Sequence, residues 1–278
     1  MPEPVIRLRS AEVSFGPRTL WKDLDLDISE GEFIAVLGPN GAGKSTFLKV
    51  LLGLQRLTAG RAEILGRPVS RGSSRVGYIP QQHALPPETP LRARDLVALG
   101  IEGHRFGIPF RSARTRAVVQ DLLERVGASR YADQPVGVLS GGEQQRLRAA
   151  QALAGSPAAL LCDEPLHSLD LHHQRAIADL IKDQASEHGS AVVFVTHEIN
   201  PVIEHVDRVL YFARGQYRIG SVEDVMRTEV LSELYDSPVE VIRHKGRLLV
   251  MGDHIEAGHE HDASTGHGLP YGVGEMAR

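Results

Sequence analysis

Gly38-Pro39-Asn40-Gly41-Ala42-Gly43-Lys44-Ser45-Thr46 is the stretch that decides the fold of this chain. It fits the pattern G-x-x-x-x-G-K-[ST], follows the short apolar run Phe33–Leu37, and precedes a helical pattern. A strand, a glycine-rich turn and a helix in this order are typical of a loop that binds nucleotide phosphates. The alternative is a glycine-rich turn with a chance lysine, and the strand and helix on either side disfavour it. We call residues 38–46 the phosphate loop.

The residue types of the phosphate loop suit this chemistry. Glycines allow backbone N–H groups to turn toward phosphate oxygens, and the helix that follows adds the positive end of its dipole. Lys44 can neutralise charge on the β- and γ-phosphates, and Ser45 can offer its hydroxyl to Mg²⁺. The sequence therefore predicts a nucleotide site that uses Mg²⁺.

The segments around the phosphate loop predict an α/β fold. Residues 5–15 alternate as a strand does, residues 158–162 and 191–196 are apolar runs, and residues 86–155 carry helical patterns between proline-rich loops. The amphipathic stretch 172–187 separates the two apolar runs, and the order strand, helix, strand is typical of a parallel sheet. Hairpins are expected around Arg214-Gly215 and Lys245-Gly246.

Composition excludes several classes of protein. Lys plus Arg number 31 against 35 Asp plus Glu, and this formal net charge of −4 predicts no nucleic-acid partner. The single cysteine, Cys162, ends an apolar run and is expected to pack as a small hydrophobic residue. The N-terminus lacks the layout of a secretion signal, and no segment approaches about 18 unbroken apolar residues. Any membrane part is therefore expected to come from another chain.

Two carboxylates follow the predicted strand 158–162. Asp163 and Glu164 lie where the carboxyl ends of parallel strands bind ligands. We expect Asp163 to hold Mg²⁺ and Glu164 to orient or deprotonate an attacking water, the positioning task in phosphoryl transfer. Acidic pairs also begin solvated loops, so this pair alone leaves both interpretations open.

The segment Leu139-Ser-Gly-Gly-Glu143 favours the metal-binding and hydrolytic interpretation of Asp163 and Glu164 over a solvated loop start. It offers hydroxyl and backbone donors at the start of a helical stretch, and it looks like the signature motif of ABC transporter ATPases. The chain resembles the nucleotide-binding subunits of that family over about residues 5–218, with its motifs in the family's order. This resemblance implies an α/β P-loop NTPase fold with an ABC ATPase core, an antiparallel β subdomain and an inserted helical subdomain.

The resemblance also implies a division of the chain. An ABC ATPase domain is expected over residues 1–240, with its helical subdomain at about 86–155. Residues 241–252 are expected to add a C-terminal hairpin. Residues 253–278 are polar and rich in histidine, which predicts a disordered tail.

Further family motifs match single residues outside the phosphate loop. The resemblance makes Phe15 the aromatic residue that stacks on adenine, with a place in the core as the alternative. It makes Gln81 a residue that contacts both Mg²⁺ and the membrane partner, and Gln82 ranks second for that role. It makes His197 the histidine that contacts the γ-phosphate, whereas a lone histidine after a strand is usually packed or solvated.

Together these motifs imply a catalytic set and a dimer. The catalytic residues are expected to be Lys44, Glu164 and His197. Ser168 and Asp170 resemble the loop that crosses the dimer interface of this family. In trans, Ser140, Gly141 and Gly142 are expected to complete an ATP site that is built around the phosphate loop of a second copy or of a paralogue.

One cassette without a membrane segment resembles the ATPase subunits of importers. The implied partners are an integral-membrane permease and, indirectly, an extracytoplasmic solute-binding protein. The implied location is peripheral, on the cytoplasmic face of the plasma or inner membrane.

The expected substrate is inferred from a similarity that is weaker than that of the core motifs. Residues 77–100 and the segments VTHEINPVIEHVDRVLYFARGQ and LSELYDSPVEVIRHKGRLLVMG look similar to the zinc, manganese and iron(II) uptake branch. This implies a divalent metal ion as substrate. In the tail, His254, His259 and His261 carry imidazoles that suit transition metals, although a polar tail whose histidines have no function is the favoured alternative.

Two other functions stay open. The chain could serve an importer for another small substrate, such as a siderophore or haem. It could instead be a soluble ABC ATPase that acts as an assembly scaffold, because such proteins share every hydrolytic motif. Copurification with a membrane subunit would discriminate between transport and scaffold.

Overall fold

The computed structural model describes residues 3–81, 85–103 and 112–252. In chain order the strands are β1 (Ile6–Phe15), β2 (Arg18–Ile28), β3 (Phe33–Leu37), β4 (Ala59–Ile64), β5 (Arg67–Pro68), β6 (Val76–Ile79), β7 (Ala159–Asp163), β8 (Ala191–Val195), β9 (Arg208–Ala213), β10 (Gln216–Gly220), β11 (Val239–His244) and β12 (Arg247–Gly252). The helices are α1 (Lys44–Leu51), α2 (Ala93–Glu102), α3 (Ala113–Arg125), α4 (Gly141–Ala154), α5 (Leu171–Ser186), α6 (Val222–Val225) and α7 (Thr228–Tyr235).

A six-stranded sheet with the order β10-β9-β3-β8-β7-β6 forms the centre of the fold. The strands from β9 to β6 run parallel, and β10 pairs with β9 in antiparallel fashion. Every residue of β3, β7 and β8 is buried, as expected for parallel strands that are covered on both faces. The parallel strands end at one edge of the sheet, so the loops that follow them meet there.

The second sheet is antiparallel and has the order β2-β1-β4-β5. Burial alternates along much of β1, because one face of the sheet packs on the core and the other faces water. Its buried side chains share one hydrophobic cluster with α1 and with the central sheet. This is the antiparallel subdomain that the resemblance implied.

Trp21 joins three elements under the phosphate loop. Its ring is fully buried, stacks on Phe212 of β9 at a centroid distance of 5.9 Å, and meets the edge of Phe47 of α1 at 6.1 Å. Aromatic pairs at such distances add to the gain from burying their area. The cluster therefore fixes the start of α1 relative to both sheets.

Helices α2, α3 and α4 pack against one another within residues 93–154. Their apolar side chains belong to the same hydrophobic cluster as those of α5 and of the central sheet. An ion pair between Arg125 of α3 and Asp183 of α5, at 2.6 Å, links this helical region to the sheet layer. Helix α4 begins at the predicted signature segment, so this packing positions that segment.

The C-terminal elements cover the side of the sheet near β9. Tyr211, Leu231 and Leu248 are among the residues of a third hydrophobic cluster, which α6, α7 and the hairpin β11–β12 share. The hairpin turns at Lys245-Gly246, where both residues have positive φ, as the sequence predicted. Strand β11 begins at Val239, ahead of the boundary expected at residue 241.

The predicted α/β class, the predicted strands at 158–162 and 191–196, and both predicted hairpins are confirmed. Cys162 is fully buried in β7, and burial raises the pKa of its thiol, so it packs as predicted. Of the helices in the described ranges, none combines the length and the hydropathy that crossing a bilayer requires.

Replacing Trp21 with alanine is expected to lower the free energy of unfolding by about 3–5 kcal/mol, because a buried aromatic ring leaves a cavity. Urea unfolding followed by far-ultraviolet circular dichroism measures this, since the substitution removes the only tryptophan. Leu54→Ala is the control, because Leu54 is 52% exposed and should cost no more than about 0.5 kcal/mol. Equal losses in the two variants would contradict the role of Trp21.

Candidate nucleotide site

The phosphate loop runs from the end of β3 into α1. Gly38 has a φ of 137°, and a Cβ atom built there would lie 2.1 Å from the carbonyl oxygen of Phe212. Gly43 has a φ of 103°, and a Cβ atom there would lie 2.9 Å from Trp21 Cδ1. Side chains do not fit at these two positions, so the backbone lies directly against β9 and the aromatic cluster.

Lys44 is buried at the first position of α1. Its Nζ donates hydrogen bonds to the carbonyl oxygens of Gly38, at 2.6 Å, and Pro39, at 3.0 Å. Burial lowers the pKa of Lys44, and the negative charges of Glu164 and Asp163 oppose that shift. The ammonium group is thus held across the loop by backbone carbonyls and faces two carboxylates at longer range.

Ser45 of the phosphate loop and Asp163 of β7 place oxygen atoms next to each other. The Ser45 hydroxyl donates to Asp163 Oδ1 at 3.3 Å, and Asp163 ends β7 with only 7% of its surface exposed. Burial and the charge of Glu164 raise the pKa of Asp163. A buried carboxylate of this kind is stabilised by a cation, and hydroxyl and carboxylate oxygens are ligands that Mg²⁺ accepts. These two residues therefore fit a magnesium ion.

Glu164 lies between side chains from two neighbouring strand ends. Its Oε2 accepts a hydrogen bond from Gln81 Nε2 at 3.2 Å, and its Oε1 is 3.7 Å from His197 Nδ1. The interaction with His197 lowers the pKa of Glu164, and the same interaction raises the pKa of His197. The carboxylate is therefore ionised and oriented by both neighbours near neutral pH.

The sheet order explains why these residues meet. Gln81 follows β6, Asp163 ends β7 and Glu164 follows it, His197 follows β8, and the phosphate loop follows β3. These four strands are consecutive and parallel in the sheet, so their carboxyl ends lie side by side. Sequence positions far apart thus form one row at a single edge.

The signature residues lie at the start of α4. Ser140 caps this helix and forms a capping box with Glu143, in which Ser140 Oγ accepts from the Glu143 N–H at 3.3 Å and Glu143 Oε2 accepts from the Ser140 N–H at 3.0 Å. Gly142 lies beside the backbone of Ser168, since a Cβ atom there would be 3.6 Å from its carbonyl oxygen. Among the hydrogen bonds and ion pairs of residues 3–81, 85–103 and 112–252, none joins Ser140, Gly141 or Gly142 to the phosphate loop.

Asp170 shapes the segment between β7 and α5. It caps α5, with Oδ1 accepting from the His173 backbone N–H at 2.9 Å and Oδ2 lying 2.7 Å from His173 Nδ1. Ser168 has a φ of 62°, an unusual backbone conformation for a residue other than glycine. Both residues are exposed, and the Ser168 backbone lies beside Gly142 of the signature segment.

Phe15 lies at the end of β1 with 51% of its surface exposed, so the alternative of a core position is wrong. Arg18, across the β1–β2 turn, donates to the carbonyl oxygen of Gly41 at 3.0 Å. The turn therefore lies against the phosphate loop, and the Phe15 ring is accessible near it.

The structure adds one residue that sequence reasoning missed. His167 lies three residues after Glu164, and ligand atoms of Glu164, His167 and His197 are all within 4.8 Å of one another. Its position in the same loop as the predicted carboxylates was the available signal. Gln82 and the tail histidines His254, His259 and His261 lie outside the described residues.

Comparison with known proteins identifies a family. A family model described as ABC transporter matches residues 21–167. The zinc import ATP-binding protein ZnuC of Marinobacter nauticus is 33% identical over 239 residues, which cover 86% of this chain and 86% of that protein. The manganese transport system ATP-binding protein MntB of Halalkalibacterium halodurans is 29% identical, covering 89% and 98%. The hemin import ATP-binding protein HmuV of Plesiomonas shigelloides is 33% identical, covering 87% and 99%.

A solved structure agrees with these relatives. It is the dimeric post-hydrolysis state of an ATP-binding cassette bound to ADP and Pi. It matches this chain with a TM-score of 0.67 and 29% identity, covering 78% of this chain and 98% of that one. The fold described above is therefore that of ATP-binding cassettes, as the sequence predicted.

The pairing of Glu164 with His197 predicts a change in titration. In Glu164→Gln the negative charge is lost, so the pKa of His197 should fall below its wild-type value. Histidine proton shifts followed by NMR across the acidic to neutral range measure this. In the control Glu198→Gln the fall should be smaller, because Glu198 raises the pKa of His197 less than Glu164 does. A His197 titration that is unchanged in Glu164→Gln would contradict the pairing.

Proposed function

The chain belongs to the ABC transporter family, and we propose that it is the ATP-hydrolysing subunit that drives an importer for a divalent metal ion. The observation that carries the hydrolytic assignment is the placement of Glu164. This carboxylate lies between Gln81 and His197 at the edge of the sheet where the phosphate loop also ends. The roles proposed below follow from that arrangement.

The phosphate loop binds the phosphates of ATP. The Lys44 ammonium lies against two loop carbonyls, and anionic phosphate oxygens nearby would oppose the lowering of its pKa by burial. The N-terminus of α1 adds its dipole to this attraction. The β1–β2 turn contacts the phosphate loop through Arg18, so the exposed ring of Phe15 lies near the loop and is accessible for stacking on adenine.

Ser45, Asp163 and Gln81 are the residues that would hold Mg²⁺. The bound ion neutralises charge on the phosphates. Asp163 then keeps its charge despite burial, because a neighbouring cation favours the ionised carboxylate. Gln81 already contacts Glu164, so it links the metal position to the hydrolytic carboxylate.

Glu164 orients the attacking water and accepts a hydrogen bond from it. The pKa of Glu164 is lowered, so the carboxylate is an acceptor at neutral pH. His197 has a raised pKa and so carries its proton over a wider pH range, which suits a contact with the γ-phosphate. Lys44, Glu164 and His197 are thus the proposed catalytic residues.

The site is proposed to need a second chain. Ser140 is exposed, and its own chain makes no hydrogen bond from Ser140, Gly141 or Gly142 to the phosphate loop within the described ranges. We assign these three residues to the phosphate loop of a second subunit. Ser168 lies beside Gly142, and Asp170 follows two residues later and is also exposed, so closure would bring this loop to the interface. A solved relative of this fold is dimeric with ADP and Pi bound, which supports this arrangement.

The transported substrate is proposed from the relatives. Proteins named for zinc import and manganese transport resemble this chain over 86% and 89% of its length. The proposed partners are a membrane permease and, through it, an extracytoplasmic solute-binding protein, with the chain at the cytoplasmic face of the membrane. A relative named for hemin import is 33% identical, which keeps a haem or siderophore importer as the second candidate.

Glu164→Gln should bind ATP without hydrolysing it, because an amide is a poor acceptor for the proton of water. Sizing by light scattering should then show a stable dimer with Mg²⁺ and ATP in this variant, and a monomer in Lys44→Ala. Wild-type protein should dimerise only transiently, since hydrolysis reopens the site. A Glu164→Gln protein that binds ATP yet stays monomeric would contradict a site closed by two copies of this chain.

Cells whose only copy carries Lys44→Ala should take up less radioactive zinc or manganese than wild-type cells, because import needs hydrolysis. Haem uptake in the same cells should be unchanged, and that measurement separates the two candidate substrates.

Detergent extracts should yield an integral-membrane protein bound to the wild-type chain. A chain that copurifies with no membrane subunit would favour the scaffold alternative.

A further inference from the structure

Three side chains with metal-binding chemistry meet beside the proposed catalytic site. Glu164 is the first residue after β7, His167 follows three residues later, and His197 follows β8. Their ligand atoms all lie within 4.8 Å of one another. Glu164 Oε1 is 3.7 Å from His197 Nδ1, and the rings of His167 and His197 have a centroid distance of 6.0 Å.

We propose that Glu164, His167 and His197 form an inhibitory site for Zn²⁺. Two imidazoles and one carboxylate, with a fourth position open to water, are a ligand set that zinc uses in proteins. The softer imidazole nitrogens favour zinc over magnesium, which prefers oxygen ligands. The group is therefore chemically distinct from Ser45 and Asp163, which offer oxygens alone.

The present geometry is close to a zinc site and can reach it by side-chain rotation. Ligand atoms around a tetrahedral zinc ion lie about 3.3 Å apart when the bonds are about 2.0–2.1 Å long. The three ligand atoms must therefore approach by up to roughly 1.5 Å. His167 and His197 are exposed, so their rings can turn without displacing packed neighbours.

The backbone and a neighbouring amide hold the carboxylate in place. The His167 backbone N–H donates to the Glu164 carbonyl oxygen at 3.1 Å, which closes the turn that brings His167 back over Glu164. Gln81 Nε2 donates to Glu164 Oε2, and Glu164 Oε1 is the oxygen nearer His197. Metal-ligating carboxylates commonly carry such a second hydrogen bond. Gln81 can therefore orient the ligand while the other oxygen binds the ion.

Zinc in this site would stop ATP hydrolysis. It would occupy Glu164 and His197, the residues proposed above to orient water and to contact the γ-phosphate. This consequence rests on the proposed function, whereas the binding of zinc does not. If the importer carries zinc, the ion that accumulates inside the cell would slow its own uptake.

The test compares three full-length proteins. All three carry the substitutions His254→Asn, His259→Asn, His261→Asn and His267→Asn, so that the tail contributes no imidazole. The parent protein has no further change, the second protein adds His167→Asn, and the control adds His188→Asn. His188 is exposed and belongs to none of the groups of metal-binding side chains found among the described residues.

Calorimetry with Zn²⁺, without nucleotide, measures binding directly, and Co²⁺ absorption reports the ligand geometry. His167→Asn should bind Zn²⁺ at least about tenfold more weakly than the parent, and the control should match the parent. Equal zinc affinity and stoichiometry in His167→Asn and the parent would overturn the site.

Zinc inhibition of ATP hydrolysis provides the second measurement. The zinc concentration for half inhibition, measured against each variant's own zinc-free rate, should rise in His167→Asn by the same factor as the dissociation constant. Weaker zinc binding with unaltered inhibition would overturn the inhibitory role. Failure of Glu164→Gln to dimerise would count against the proposed function and would leave the calorimetric result as it stands.

Discussion

Parallel pairing of β3, β8, β7 and β6 is the constraint on which the site depends. Each of these strands ends in a loop at the same edge, and each loop contributes one part of the site. The phosphate loop, His197, Glu164 and Gln81 therefore lie in the order of the strands and not in the order of the sequence. The aromatic cluster around Trp21 adds the second requirement, because it holds the start of α1 against both sheets. Loss of either arrangement would separate groups that act together.

Charge compensation explains how this edge tolerates several ionisable groups. Lys44 and Asp163 are both buried, and burial shifts the pKa of each toward its neutral form. Glu164 and His197 are more accessible and shift each other toward the charged forms. The charged forms of the buried pair, Lys44 and Asp163, would thus be stabilised by a bound nucleotide and cation. The charged forms of the outer pair, Glu164 and His197, already stabilise each other. The same outer pair, with His167, gives a transition metal a place to bind.

Much of this was predictable from sequence because the local patterns agree with the tertiary fold. The phosphate loop, the strands at 158–162 and 191–196 and both hairpins follow from apolar runs and turn residues, and resemblance supplied the antiparallel sheet. Strand β2 was not identified individually, although its second half, DLDLDI at residues 23–28, alternates charged and apolar residues. His167 was not predicted, because its role depends on contact with His197. His197 is 30 positions away in sequence and reaches His167 only because β8 pairs with β7. Contacts across strands are the part that local pattern does not contain.

The central claim is that hydrolysis needs the phosphate loop of one chain and the signature residues of another. Mixing two inactive variants tests it most directly: Lys44→Ala, which keeps Ser140 and Gly142, and Gly142→Asp, which keeps Lys44. A mixed dimer contains one complete site, so the account predicts ATPase activity well above the sum of the two variants measured alone. Activity of the mixture that never exceeds that sum, with mixed dimers verified by copurification of two differently tagged chains, would contradict a site shared between two chains.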